Sequence, residues 1–227
     1  MTATNAACLG ALAGMRSLRR LALDCNWGDL RVPPILWEAP GECPLLSLEL
    51  SCASLRGGVL ALGDLANLQS LVCNFVSCTS CELPTAVSRL TSLTRLHLHR
   101  TCFPDDGSAL HGLTRLRALS LRNNITRFVP GPGWRHLESL DLQANRLEGV
   151  PDLSGLTALT SVYLGDQTLG FQVKRPLQFL DDMPLLVKLD LMQGALHPGW
   201  SQESLRHLAM AVQMSGGSGQ GPLKISF

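Results

Sequence analysis

Aromatic residues are scarce in this chain: one Tyr, four Trp and six Phe among 227 residues. Charge is sparse and balanced, with 19 Lys and Arg against 18 Asp and Glu, a formal net charge of +1. No basic stripe interleaves with aromatics, so the usual footprint of a nucleic-acid binder is missing. No apolar run reaches the roughly 18 residues of a membrane-spanning helix. The opening stretch MTATNAACLGALAGM is apolar but lacks the positive region that begins a secretory signal. There is no G-x-S-x-G, no kinase signature, and no Gly-rich loop followed by Lys and Ser or Thr. These absences set the expectations: no enzymatic activity, no cofactor, no bound metal, no nucleic acid partner and no membrane span.

What the chain does contain is one pattern, Leu-x-x-Leu-x-Leu, in eight copies spaced 21 to 27 residues apart. The copies are LRRLALDCN from Leu18, LLSLELSCA from Leu45, LQSLVCNFV from Leu68, LTRLHLHRT from Leu93, LRALSLRNN from Leu116, LESLDLQAN from Leu137, LTSVYLGDQ from Leu159 and LVKLDLMQG from Leu186. In LDL, Leu140 and Leu142 point one way and Asp141 the other, the period of a half-buried strand. One such strand cannot bury its leucines alone, so the copies must stack and share a core. The pattern resembles the leucine-rich repeat family over nearly the whole length. The forms CELPTAVSRLTSL and EGVPDLSGLTAL are similar to its typical and plant-like classes, with repeats of about 23 residues.

That resemblance implies an α/β solenoid: a parallel sheet on the concave side of a curved horseshoe, with irregular or short helical returns on the convex side. Pro33, Pro84, Pro104, Pro130 and Pro151 fall in the returns, where proline's missing donor does no harm. Residues 1–227 are expected to form a single solenoid of eight repeats and a partial ninth. SQESLRHLAMAVQM predicts a helix at about 202–214, with Ser201 as N-cap and Gly216 as a stop. A Gly/Ser stretch follows at 215–221, then a last strand at 223–227 in which Leu223 and Ile225 take the two inner positions. The chain ends within a repeat, as a fragment would. An exposed edge at that last strand is a template for self-association.

In the family an Asn closes each strand and satisfies backbone groups of adjacent turns. Asn26, Asn124 and Asn145 match; Ala53, Val76, Thr101, Gln167 and Gly194 stand at the other five places. The ladder is therefore expected to be incomplete, with water or local backbone adjustment covering the gaps. Asn124 also opens a glycosylation sequon, Asn124-Ile125-Thr126. As a buried ladder residue it is a poor acceptor once folded.

Cysteine is confined to the first half: Cys8, Cys25, Cys43, Cys52, Cys73, Cys78, Cys81 and Cys102. Cys78 and Cys81 form a C-x-x-C, and Cys102 falls one coil later at nearly the same register. Stacked strands about 4.8 Å apart would let such thiols meet. A zinc site wants four ligands, and only three fit. The alternative is small apolar filler near the core, and that is the reading adopted, with all eight thiols reduced. His97 and His99 share one face of a strand about 7 Å apart, able to frame a ligand but not to bond each other.

Between the inner positions stand the outward residues Ala22, Glu49, Val72, His97, Ser120, Asp141, Tyr163 and Asp190. Flanking rows include Arg95 and Lys188 before them, and His99, Arg122 and Gln143 after them. Repeats four and five are basic; repeats six to eight add acids and the only Tyr. An open, mixed-charge sheet suits a protein partner and cannot enclose a small substrate. The expected contact residues are Arg95, His97, His99, Arg122, Asp141, Tyr163 and Asp190. The function expected is a non-catalytic, cytoplasmic scaffold or adaptor for an unidentified protein. The rivals are a substrate-receptor subunit of a ubiquitin-ligase complex, a fragment of a receptor ectodomain, and a cytoskeletal or axonemal scaffold.

Overall fold

The computed structural model describes residues 17–24, 45–51, 62–76, 82–101, 106–167 and 183–191, and the backbone of 224–226. Each copy of the repeat opens on a short strand: β1 Arg20–Asp24, β2 Ser47–Ser51, β3 Ser70–Asn74, β4 Arg95–His99, β5 Ala118–Arg122, β6 Ser139–Asp141, β7 Ser161–Tyr163 and β8 Lys188–Asp190, followed by β9 Lys224–Ser226. All pair in parallel, in sequence order, as one nine-stranded sheet. Parallel neighbours need a long crossover, and the return of each repeat supplies it.

The register is the one that the leucine spacing predicts. Leu21, Leu48, Leu71, Leu96, Leu119, Leu140, Val162 and Leu189 lie opposite one another along the sheet. Each strand entry uses one carbonyl twice: Thr94 O, for example, accepts the N–H groups of Arg117 and Ala118. From β2 to β8 the inner positions are buried, whereas Leu21 and Leu23 on β1 are only half-buried. Cys73 replaces a leucine in the second inner row, opposite Leu50 and Leu98, and is fully buried. The other seven cysteines lie outside the described residues, as do the 202–214 helix and the Gly/Ser stretch.

At β9 the pairing corrects the sequence reading. Ile225 lies opposite Leu189, the first inner position, so Leu223 cannot share the inner pair with it. LKISF carries apolar residues at three alternate positions, which allows two registers. Pairing with β8 selects the later one for the described backbone, Lys224–Ser226.

The returns are built from short turns. Leu68, Leu93, Leu116, Leu137, Leu159 and Leu186 each donate an N–H to the carbonyl three residues earlier. One return adds a helix, α1, Glu82–Ser88. Pro84 sits in its first turn, where the backbone N–H has no intrahelical partner to lose. Another adds a 3-10 turn, Ser108–Leu110. Asp106 and Asp152 each accept the N–H two residues ahead, from Ser108 and Ser154. The Ser154 N–H bond, with the Ser154 side chain, holds the Asp152 carboxyl below its ordinary pKa.

The exit ladder is more complete than its asparagines imply. Asn145 is 1% exposed and makes four backbone bonds: its oxygen accepts Asn124 N–H and Ile125 N–H, and its amide donates to Leu121 O and Leu142 O. Asn124, half-buried rather than buried, donates to Leu98 O and Arg122 O and accepts both the N–H and the hydroxyl of Thr101. Gln167 takes the asparagine role one repeat later, accepting Leu147 N–H and donating to Leu142 O and Leu164 O. The residue before each ladder position is left-handed in five successive repeats: Phe75, Arg100, Asn123, Ala144 and Asp166, with φ from 48° to 56°.

Candidate functional site on the concave face

The outward rows align across the sheet as the spacing requires. His97 lies opposite Val72 and Ser120, Ser120 opposite Asp141, Asp141 opposite Tyr163, and Tyr163 opposite Asp190. The seven expected contact residues therefore share one face of five adjacent strands, β4 to β8. They differ in accessibility. Arg95 is exposed, and His97, His99, Arg122, Asp141 and Tyr163 are half-buried. Asp190 is only 8% exposed and Ser120 4%, although both were expected to face solvent. Parallel strands crowd their outward side chains, and the long neighbours fold over the short ones.

A polar network crosses the face. Arg122 Nε lies 3.4 Å from Asp141 Oδ2, which also accepts the Ser120 hydroxyl at 3.3 Å. The other Asp141 oxygen accepts the Gln143 N–H at 3.0 Å. The Gln143 side chain accepts a bond from Arg122 and donates to Asp190 Oδ2 at 3.3 Å. Its reach extends past β7, where the matching outward residue is Gly165 and offers no side chain. At the far end, the Lys188 ammonium lies 4.7 Å from the Tyr163 ring centre, a cation–π contact.

The basic end is organised around β4. Burial lowers the pKa of His97, reinforced by Arg95 and Arg122 and opposed by Asp141. Burial also lowers that of His99, reinforced by Arg122 and Arg100 and again opposed by Asp141. Asn123 Nδ2 lies 3.3 Å from His99 Nε2. The Phe75 ring is 5.0 Å from the His99 ring, and Arg100 lies 5.3 Å above Phe75. Phe75, at 38% exposure, is one of two exposed large hydrophobics among the described residues.

Spacing placed Gln143 and Lys188 on the flanking rows but not among the expected contacts, and it gave no reason to single out Phe75 or Asn123. The useful signal was the repeated left-handed position, since Asn123 and Asp166 are residue types that tolerate it. Among the described residues, no three His, Cys, Asp or Glu side chains gather as metal ligands, and no helix is long and apolar enough to cross a membrane. A groove of about 690 Å³ lies elsewhere, between returns 126–132 and 147–156, and shares no residue with the concave network.

No family model matches the chain, and no curated protein matches it in sequence. Solved structures do. An internalin from Listeria monocytogenes is 22% identical with a TM-score of 0.60, covering 87% of this chain and 80% of that one. A leucine-rich repeat protein of Leptospira interrogans is also 22% identical, with a TM-score of 0.64, covering 87% of this chain and 54% of that one. The fold is a leucine-rich repeat solenoid. A third similar structure is the Arabidopsis receptor kinase HAESA in complex with the peptide hormone IDA and the co-receptor SERK1. It is 23% identical with a TM-score of 0.52, covering 70% of this chain and 27% of HAESA. The chain thus spans about half of the Leptospira protein and about a quarter of HAESA.

Proposed function

We propose that this leucine-rich repeat chain is a non-catalytic scaffold that binds a protein or peptide partner on its concave face. The observation that carries the reading is the side-chain network from Arg122 through Asp141 and Gln143 to Asp190, which pre-forms a mixed-charge surface across four strands. A surface already held in place loses less side-chain freedom on binding. The peptide bound to HAESA supports a peptide or protein ligand for this chain as well. That complex equally favours a second reading, a piece of a receptor ectodomain. The cytoplasmic setting remains part of the first reading and the extracellular setting part of the second.

Binding energy concentrates in a few residues, with Tyr and Arg enriched among them. Proximity labelling or pull-down identifies the partner. Tyr163→Ala and Arg122→Ala should each weaken its binding by about 1–2 kcal/mol or more, with melting curves checking that the fold survives. Ser51→Ala, on the plain early part of the sheet, should leave binding unchanged. Equal affinities for all three variants would move the site off β4–β8.

A further inference from the structure

Along β4 the three outward positions in succession are Arg95, His97 and His99, with Arg100 at the strand exit. The strand on one side, β3, adds no charge to this face: it presents Ser70, Val72 and Asn74. The strand on the other side, β5, presents Ala118, Ser120 and Arg122. The acid acting on both histidines is Asp141 on β6, already held by Arg122, Ser120 and Gln143. Among the described residues, neither Arg95 nor Arg100 has an ion-pair partner. Among the described residues the patch is a line of basic groups whose acid, Asp141, is already engaged by other side chains.

We infer that this line docks an extended acidic segment of a partner, its carboxylates at alternate residues seated along Arg95, His97 and His99. The spacing argues for an extended occupant. Alternate residues of a strand lie about 7 Å apart, and so do successive outward residues of β4, so carboxylates at every second position meet basic groups one for one. Phe75, exposed beside His99 and Arg100, gives a large apolar residue at the end of the run a surface to rest on. The inference rests on the concave-face reading and adds the partner's chemistry to it.

Proton linkage follows. In the free protein, burial and the neighbouring arginines favour neutral His97 and His99. A carboxylate beside each favours the charged form and raises its pKa in the complex. Docking therefore takes up protons, and affinity rises as pH falls from above the bound-state values toward the free-state ones. Glutamates on the partner stay ionised there, since they titrate near 4.3.

The probe is a fluorescein-labelled peptide with glutamates at alternate positions and a leucine at each end, titrated by anisotropy between about pH 7.5 and 5.5, on either side of histidine's ordinary pKa. The full chain should bind it at least about tenfold more tightly than the glutamine counterpart, a difference of about 1.4 kcal/mol. Binding should tighten severalfold toward acid pH. The double variant His97→Gln/His99→Gln should still bind but lose that tightening, while Ser51→Ala keeps it. Equal binding of the glutamine counterpart, no binding at millimolar protein, or an unchanged pH dependence in the double variant would overturn the inference. Hydrogen exchange with the natural partner separates the two readings. Protection of β4–β8 by that partner alongside a failed probe removes only the acidic segment. Protection confined to the returns removes the concave site as well.

Discussion

One amide, that of Asn145, satisfies four backbone groups on two successive repeats. Each backbone group left buried and unpaired costs about 1–3 kcal/mol. Asn145→Ala should therefore lose at least about 3 kcal/mol, seen in urea denaturation as a lower midpoint. A change under about 1 kcal/mol would mean that water replaces the amide freely. Gln167 shows that the role depends on reach rather than on the asparagine itself. Its extra methylene still brings the amide to Leu142 O, Leu164 O and Leu147 N–H. Thr101 contributes differently, as a donor to Asn124. Where side chains do not serve, the left-handed residues help: the N–H groups of Phe75, Arg100 and Ala144 bond to carbonyls of the next repeat, His99, Arg122 and Gly165.

At the scale of the element, one return breaks the leucine pattern and compensates for it. Trp134 stands where the flanking returns carry Leu113 and Leu156, and Gly131 where they carry Leu110 and Leu153. Trp134 is fully buried, stacked 6.0 Å from Phe128 with His111 edge-on at 5.7 Å. A Cβ on Gly131 would lie 2.8 Å from its ring, so the glycine makes the space that the indole fills. Among the described residues the buried indole Nε1 meets no hydrogen-bond partner. Gly131→Ala should destabilise by about 1–3 kcal/mol through overpacking. Trp134→Leu should cost about 2–4 kcal/mol through the void left behind. The double variant Gly131→Leu/Trp134→Leu restores the pattern of the neighbouring returns and should be more stable than either single variant. Additive losses in calorimetry would show that the two residues are not coupled. The strands were legible in the sequence because a period of two with fixed inner leucines has one consistent register across eight copies. The glycine–tryptophan exchange was not, because it is a volume match between two residues that both depart from the pattern. Of the candidate site, the aligned rows were legible. The links made by Gln143 were not, because side-chain reach past Gly165 depends on local geometry rather than spacing. At β9, three alternate apolar residues left two registers open.

For the molecule as a whole, stability is shared between neighbours. Among the described residues, the main contacts between strands join consecutive ones, β1 with β2 through β8 with β9. In such an array each repeat is held by its own core and by the two adjoining interfaces. Leu140 is fully buried, opposite Leu119 and Val162. Leu140→Ala should cost about 2–5 kcal/mol. Hydrogen exchange should show the loss of protection centred on β6 and passing to β5 and β7, with β2 least affected. An unaltered melting midpoint would contradict the shared core.

The distribution of charge along the sheet has a kinetic consequence. Arg95, Arg100 and Arg122 stand toward one end of the binding face, and Asp141, Asp166 and Asp190 outnumber Lys188 toward the other, on a chain whose formal net charge is only +1. A molecule with almost no net charge exerts little long-range pull, but a lengthwise separation of charge exerts a torque. A partner of opposite polarity is turned into alignment during approach, before any side chain touches. Added salt screens that torque over about 10 Å at 0.1 M. Ionic strength would therefore slow arrival more than it hastens departure, and the direction in which a partner lies along the solenoid is chosen in the encounter itself.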